Sequence, residues 1–124
     1  MREDERKENN RQKGSLYEER TASFFVENGF EILEKNYRRK TGEIDLVVRD
    51  PDGTIAFVEV KYRKAQKQGF PEEAVTKSKQ MRIRRTAEWY LCEKRLPSEA
   101  KYRFDVVSIL DGDLTYIRNA FGGF

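Results

Sequence analysis

The 124-residue chain contains no histidine and a single cysteine, Cys92. Without histidine it cannot supply a Ser-His-Asp triad, an imidazole general base or a histidine-containing zinc site. One cysteine can form neither a thiolate zinc cluster nor an internal disulfide. Carboxylates, lysines and hydroxyls remain for chemistry. A metal held by this chain alone would therefore have oxygen ligands, which favour hard ions such as magnesium, manganese or calcium.

Long apolar runs are also missing. No uninterrupted apolar stretch exceeds four residues, whereas a membrane-spanning helix needs ~20. Nine of the first thirteen residues are charged, so we expect residues 1–13 to be a disordered tail without a secretory signal. Residues 14–124 suit one compact domain. These features, together with the lone cysteine, predict a cytoplasmic protein that does not associate with membranes.

Apolar periodicity and turn residues predict an α/β domain with the element order α-β-β-β-α-β-β, a mixed central sheet flanked by helices. The first helix is expected over residues 16–28, because Gly29 follows as a stop signal. Pro71 and the two acids behind it indicate the start of a long helix that ends near Arg95. Strands are expected over residues 30–37, 43–48, 54–62, 102–110 and 114–118.

Four charged residues on two neighbouring strands carry the functional argument. Glu43 and Asp45 are two residues apart on one strand, as are Glu59 and Lys61 on the next, so each pair shares a face. If residues 51–53 form a three-residue loop, Asp45 lies opposite Glu59 and Glu43 lies opposite Lys61. A register that differs by one residue would place the two pairs on opposite faces.

Two carboxylates on adjacent strands repel each other unless a cation, a proton or Lys61 compensates. The functional interpretation is a divalent metal site. The alternative is an ordinary ion pair between Glu43 and Lys61, with Asp45 and Glu59 facing solvent.

Glu18 is a further candidate at this site. It shares a helical stripe with Ala22 and Phe25, which should face the sheet, where an unpaired carboxylate is costly. A metal or a bound water near Asp45 would give it a partner. Its position in the first turn of the helix equally allows it to reach solvent.

The charge distribution suggests a nucleic-acid partner. Nine basic and two acidic residues lie between Lys61 and Arg85, and such a segment could neutralise phosphates that flank a scissile bond. The alternative is a solvated helix face with no partner. The residues predicted to contact nucleic acid are Arg63, Lys64, Lys77, Lys79 and Arg82.

Two more polar residues lie at positions expected to face the interior. Gln80 is the polar member of the apolar stripe of the second long helix, and we include it among the catalytic candidates as a contact to water or phosphate. It equally fits a partly exposed helix position. Asp105 alternates with apolar residues on the fourth strand, where a structural hydrogen bond or a pairing near Arg103 is favoured over catalysis.

This order of elements, with Asp45 followed after thirteen residues by Glu59-Val60-Lys61, resembles the PD-(D/E)XK, or restriction-endonuclease-like, superfamily. Ile44 stands where the proline of that name would be. More closely, the chain resembles the YraN-like family of bacterial proteins over residues 14–121. The segments that carry this likeness are Gly14 to Glu18, Gly42 to Leu46, Phe57 to Arg63, Lys79, Arg103 to Val106 and Asn119 to Phe121.

The resemblance implies a nuclease-like fold similar to that of archaeal Holliday-junction resolvases. It implies Asp45 and Glu59 as ligands of Mg²⁺ or Mn²⁺, Lys61 as the catalytic lysine and Glu18 as the acid of the first helix. Glu43 is an extra acid, which we add to the candidate ligands. The expected activity is metal-dependent cleavage of DNA, branched or damaged DNA included, with RNA less favoured and a homodimer allowed. The alternative is a module that binds nucleic acid or a partner and keeps the fold without useful turnover.

Overall fold

A computed structural model describes residues 16–63 and 75–121 of the chain. The first helix, α1, spans residues 16–27. The other elements, in chain order, are β1 (Glu31–Arg39), β2 (Gly42–Arg49), β3 (Ile55–Arg63), α2 (Lys77–Glu93), β4 (Tyr102–Leu110) and β5 (Asp113–Ile117). The predicted tail over residues 1–13, Lys64 and the Pro71 helix start lie outside the described residues.

The five strands form one mixed sheet in the order β1-β2-β3-β4-β5. Only β3 and β4 run parallel, and the crossover between them contains α2. Side chains of α1 and one sheet face form one apolar cluster around Phe25, Val58 and Val107. Side chains of α2 and the other face form a second cluster around Phe57, Ile83 and Val106. The predicted α/β class and element order are confirmed.

The β2–β3 hairpin has the predicted register. Val48 pairs with Ala56 and Leu46 pairs with Val58. The loop of residues 51–53 is closed because Asp50 donates its N–H to the carbonyl of Thr54 at 2.8 Å. Gly53 has a φ of +93°, which a glycine adopts without strain. The turn residues therefore determine which strand residues face each other near Asp45.

The start of α2 differs from the prediction. Val75 and Thr76 are not helical, and α2 begins at Lys77. Thr76 is the N-cap, because its hydroxyl accepts the N–H of Lys79 at 3.2 Å. A threonine that satisfies a free helix N–H starts the helix here, so the prediction of one helix running continuously from Pro71 is wrong.

Asp105 belongs to a buried polar network, as predicted. Arg103 Nε donates to both carboxylate oxygens of Asp105, at 3.0 and 3.1 Å, and Arg103 Nη2 donates to Asp50 at 2.6 Å. Tyr116 and the backbone of Asn119 donate to Asp105 as well. The network ties the β2–β3 loop to β4 and β5, so the role of Asp105 is structural.

In the part of the chain that the structure describes, no helix is long and apolar enough to cross a membrane.

Candidate active site

Asp45 lies where the pairing between β2 and β3 ends. The last paired residues of the ladder are Leu46 and Val58. One residue beyond, Asp45 Oδ2 accepts the backbone N–H of Val60 at 2.8 Å. A side chain thus takes the place of a main-chain partner, and it fixes the orientation of the Asp45 carboxylate relative to β3.

The regular alternation of β2 side chains between the two faces of the sheet is interrupted at Asp45. Residues two apart on a strand normally share a face, yet Ile44 packs in the cluster beside α2 and Leu46 packs in the cluster beside α1. The neighbouring β1 is irregular at the same place, because Asn36 has a φ of +52° in the left-handed region. It lies between the pairs that Ile44 and Leu46 form with β1. Asp45 is therefore placed by a local distortion that alternation does not predict.

Glu59 brings two lysines to the site. Its side chain is 5% exposed, and its Oε1 lies 3.3 Å from Lys61 Nζ and 2.5 Å from Lys79 Nζ. Lys61 follows Glu59 on the same face of β3, and Lys79 reaches it from the first turn of α2. The Asp45 carboxyl is close enough to the Glu59 carboxyl to form a hydrogen bond with it. The structure therefore brings Asp45, Glu59, Lys61 and Lys79 together.

Burial and close charged neighbours shift the pKa values of three of these four side chains. Burial and the negative charge of Glu59 raise the pKa of Asp45 to about 7. Partial burial and the neighbouring ammonium of Lys79 lower the pKa of Lys61. Partial burial opposes the charged form of Lys79 most strongly, but its hydrogen bonds to Glu59 and Lys61 and the negative charges of Glu59 and Asp45 together leave the pKa of Lys79 raised. Near neutral pH the Asp45 carboxyl is therefore partly protonated, and a further cation bound beside it would favour its ionised form.

Glu18 lies near Asp45 but is exposed. Both line a polar cavity of about 190 Å³, together with Lys35 and Asn36. On the same helix Ala22 and Phe25 are buried as expected. Of the two positions considered for Glu18, the structure shows the exposed one, because Glu18 lies in the first described turn of α1, where its side chain reaches solvent.

Glu43 pairs with a basic residue outside this group. Its carboxylate pairs with Arg38 Nε at 3.2 Å across the β1–β2 hairpin. The Glu43–Lys61 pairing considered from the sequence is not formed, because Lys61 binds Glu59. The negative charge of Glu43 nevertheless raises the pKa of Asp45, although less than burial and Glu59 do.

Gln80 is half-buried, and its amide donates to the carbonyl of Val75 at 3.0 Å. The structure thus gives it a local contact that stabilises the start of α2. Among the predicted nucleic-acid contacts, Lys77 and Arg82 are exposed on α2, where Arg82 lies 3.4 Å from Ser78 Oγ. Arg63 ends β3. Of the predicted contacts that the structure describes, Lys79 is the one whose side chain reaches Glu59.

The donor set fits a magnesium or manganese ion. Within residues 16–63 and 75–121, no group of three or more acidic or cysteine side chains is arranged to enclose a metal. Mg²⁺ is usually held by one or two carboxylates and completes its shell with water and substrate phosphates. Asp45 and Glu59 provide two such carboxylates, which lie close together where β2 and β3 cease to pair.

Sequence reasoning missed two features of this site. The contact of Lys79 with Glu59 was not anticipated, since a lysine in a basic helix is indistinguishable from one on a solvated face. The left-handed Asn36 had a weak signal, because asparagine tolerates that conformation better than most residues.

Comparison with known proteins identifies relatives that match most of this chain. A family model described as "Uncharacterised protein family UPF0102" matches residues 17–109. A UPF0102 protein of Lachnoclostridium phytofermentans is 46% identical over 116 residues, which is 94% of this chain and 98% of the relative. A UPF0102 protein of Caldicellulosiruptor saccharolyticus is 39% identical over 91% of this chain and 99% of its own length. The matched span contains Glu18 and all four residues of the Asp45 group.

Proposed function

The chain belongs to the UPF0102 family, also called YraN-like, and from this premise and the geometry of the site we propose that it is a metal-dependent endonuclease of the PD-(D/E)XK type. It hydrolyses phosphodiester bonds of DNA, and its preferred substrates are branched or damaged molecules. The observation that carries the proposal is the meeting of Asp45, Glu59 and Lys61 at the open end of the β2–β3 ladder.

The two acids supply the ion-binding part of the mechanism. Asp45 and Glu59 would hold Mg²⁺ or Mn²⁺, with Asp45 oriented by the N–H of Val60. Such an ion polarises a phosphoryl oxygen and lowers the pKa of a bound water. The exposed Glu18 lines the same cavity and would accept a hydrogen bond from a water molecule bound there. These roles require both carboxylates to be ionised when the ion binds.

Lys61 supplies the charge nearest to the reacting phosphate. Its ammonium lies beside Glu59 and is partly exposed, so it can orient a water molecule and stabilise negative charge on the phosphoryl oxygens. Burial lowers the pKa of Lys61 from its ordinary value, which favours deprotonation, whereas the adjacent carboxylates oppose it. Orientation of water and charge stabilisation are therefore the roles we assign to it.

The exposed basic side chains of α2 support DNA as the partner. Lys77 and Arg82 extend from the helix whose first turn reaches Glu59. Phosphates that flank the scissile bond would meet these residues, and such contacts make binding steeply salt-dependent.

The test is cleavage of linear, flapped and four-way DNA by the purified full chain with Mg²⁺ or Mn²⁺. Asp45→Asn and Lys61→Met should each lower the cleavage rate by at least ~100-fold. Matched controls are Asp113→Asn and Lys101→Met, since both residues are exposed and lie outside the site. Equal cleavage by all five proteins would disprove the assignment of the site. Salt-dependent binding without cleavage, unchanged by either substitution, would support the module without turnover.

A further inference from the structure

One oxygen atom of Glu59 receives two ammonium groups, at 2.5 Å from Lys79 and 3.3 Å from Lys61. Lys61 reaches it because residues two apart on β3 share a face. Lys79 comes from a different element, and its contact depends on how α2 docks on the sheet. The shorter of the two ion pairs is thus the one that strand geometry does not require.

A divalent ion at Glu59 would compete for the same oxygen. Mg²⁺ binds carboxylate oxygens at about 2.0–2.1 Å. The Lys79 ammonium already lies at hydrogen-bonding distance from Oε1, and a dication placed beside it would be repelled. The ion and the ammonium are therefore alternative partners of Glu59.

Lys79 can change partners without a change of fold. Its backbone is held because its N–H donates to the N-cap Thr76. Its side chain is long, flexible and 37% exposed. Lys77 and Arg82 are exposed on the same helix, so an ammonium released from Glu59 stays on a positively charged surface.

We propose that Lys79 is an internal counter-ion of the site: its ammonium occupies Glu59 until a divalent ion binds, and then transfers to a phosphate oxygen of the bound nucleic acid. This inference rests on the proposed function, since it assumes that the ion binds at Asp45 and Glu59. This exchange of partners by Lys79 couples the binding of the ion to the binding of substrate. In the ion-free state the same contact neutralises a buried carboxylate and keeps the site assembled.

The first experiment measures Mn²⁺ binding to the full chain by calorimetry without nucleic acid. Lys79→Met keeps the aliphatic stem and removes the charge, and it should bind Mn²⁺ at least ~5-fold more tightly than the unaltered chain. Lys101→Met is the control, because Lys101 is exposed and lies outside the site, and it should leave the affinity unchanged. Lys79→Gln is a second variant without the charge, and it should also bind Mn²⁺ more tightly. A thermal melt of each variant shows whether the fold is retained. The melting temperature of Lys79→Met should rise more on addition of Mn²⁺ than that of the unaltered chain.

The second experiment measures DNA affinity against salt concentration, with Ca²⁺ in place of the catalytic ion. Lys79→Met should reduce the salt slope by about one, as expected for the loss of one phosphate contact. An unchanged slope would overturn the transfer to phosphate.

Unchanged or weaker Mn²⁺ binding by both Lys79 variants would overturn the proposed role of Lys79 as a counter-ion. Absence of Mn²⁺ binding in every protein would overturn it too, and would remove the ion from the proposed function. If Lys79→Met binds Mn²⁺ more tightly but the unaltered chain cleaves no DNA, the counter-ion stands and the nuclease proposal fails.

Discussion

Asp45 accepts the backbone N–H of Val60 across the open end of the β2–β3 ladder, at 2.8 Å. This bond holds the carboxylate beside Glu59, although the negative charge of Glu59 raises the pKa of Asp45. The folded chain thus maintains an arrangement that is unfavourable in the absence of a cation. Functional sites commonly carry such a cost in stability.

This cost predicts that Asp45→Asn stabilises the ion-free protein at alkaline pH. The pKa of Asp45 is about 7 in the folded state, against an ordinary value of 3.8. The folded state therefore binds the proton more tightly, and this group destabilises the fold progressively as the pH rises from about 4 through 7. In EDTA at pH 8 the variant should be more stable by about 1–2 kcal/mol.

Thermal melts at pH 5 and pH 8 check this prediction. The gain from Asp45→Asn should shrink at pH 5, where most of the Asp45 carboxyl is protonated in the folded chain. Asp113→Asn is the exposed control and should show no such pH dependence. A variant that is less stable than the unaltered chain at pH 8 would contradict the electrostatic account of the site.

The network around Arg103 predicts a large loss of stability at a distance from the site. Arg103→Met removes the cation that pairs with Asp50 and Asp105, whose side chains are 7% and 0% exposed. Asp105 keeps its hydrogen bonds from Tyr116 and Asn119, and Asp50 keeps Arg118 at 3.6 Å. Loss of the buried cation should still cost about 3 kcal/mol in a urea unfolding experiment. Arg49→Met, which removes an exposed pair with Glu31, should cost less than about 1 kcal/mol. Equal losses in the two variants would refute the structural role of the network.

Glu93 predicts a pH-dependent contribution to stability at acid pH. Hydrogen bonds from Arg39 and Tyr37 lower the pKa of Glu93 to about 2. A depressed pKa stabilises the fold above the unfolded value near 4.5, and the contribution is lost as the pH falls towards 2. Glu93→Gln should therefore be less stable than the unaltered chain at pH 6, with the difference vanishing near pH 2. Urea unfolding across this range measures it. Glu99→Gln is the control, and a difference for Glu93→Gln that stays constant with pH would count against the assignment.

Asn36 predicts a local effect on the site. A β-branched residue is disfavoured at its φ of +52°, so Asn36→Val should destabilise the chain by about 1–2 kcal/mol, whereas Asn36→Gly should be tolerated. Because Asn36 lies beside Asp45, the valine variant should also weaken Mn²⁺ binding. Calorimetry and thermal melts of the two variants distinguish these effects, and identical behaviour would show that the left-handed residue has no role in positioning Asp45.

The sequence predicted the hairpin because its turn chemistry is local. Pro51 and Gly53 determine the loop, and the loop determines the register that leads Asp45 towards Glu59. The contact between Lys79 and Glu59 depends on how α2 docks on the sheet, and no short-range pattern reports that. The exposure of Glu18 depends on its place in the first described turn of α1, and the pairing of Glu43 with Arg38 depends on the register of the β1–β2 hairpin. Local signals thus predicted the elements and the two central acids, while tertiary packing decided the other members of the site.

The most direct test of a shared ion at Asp45 and Glu59 is a crystal of the full chain soaked in Mn²⁺ and measured at the manganese absorption edge. We predict one anomalous peak in contact with carboxylate oxygens of both residues, with the Lys79 ammonium displaced from Glu59. A peak elsewhere on the molecule, or none at these two side chains even with DNA bound, would contradict the account.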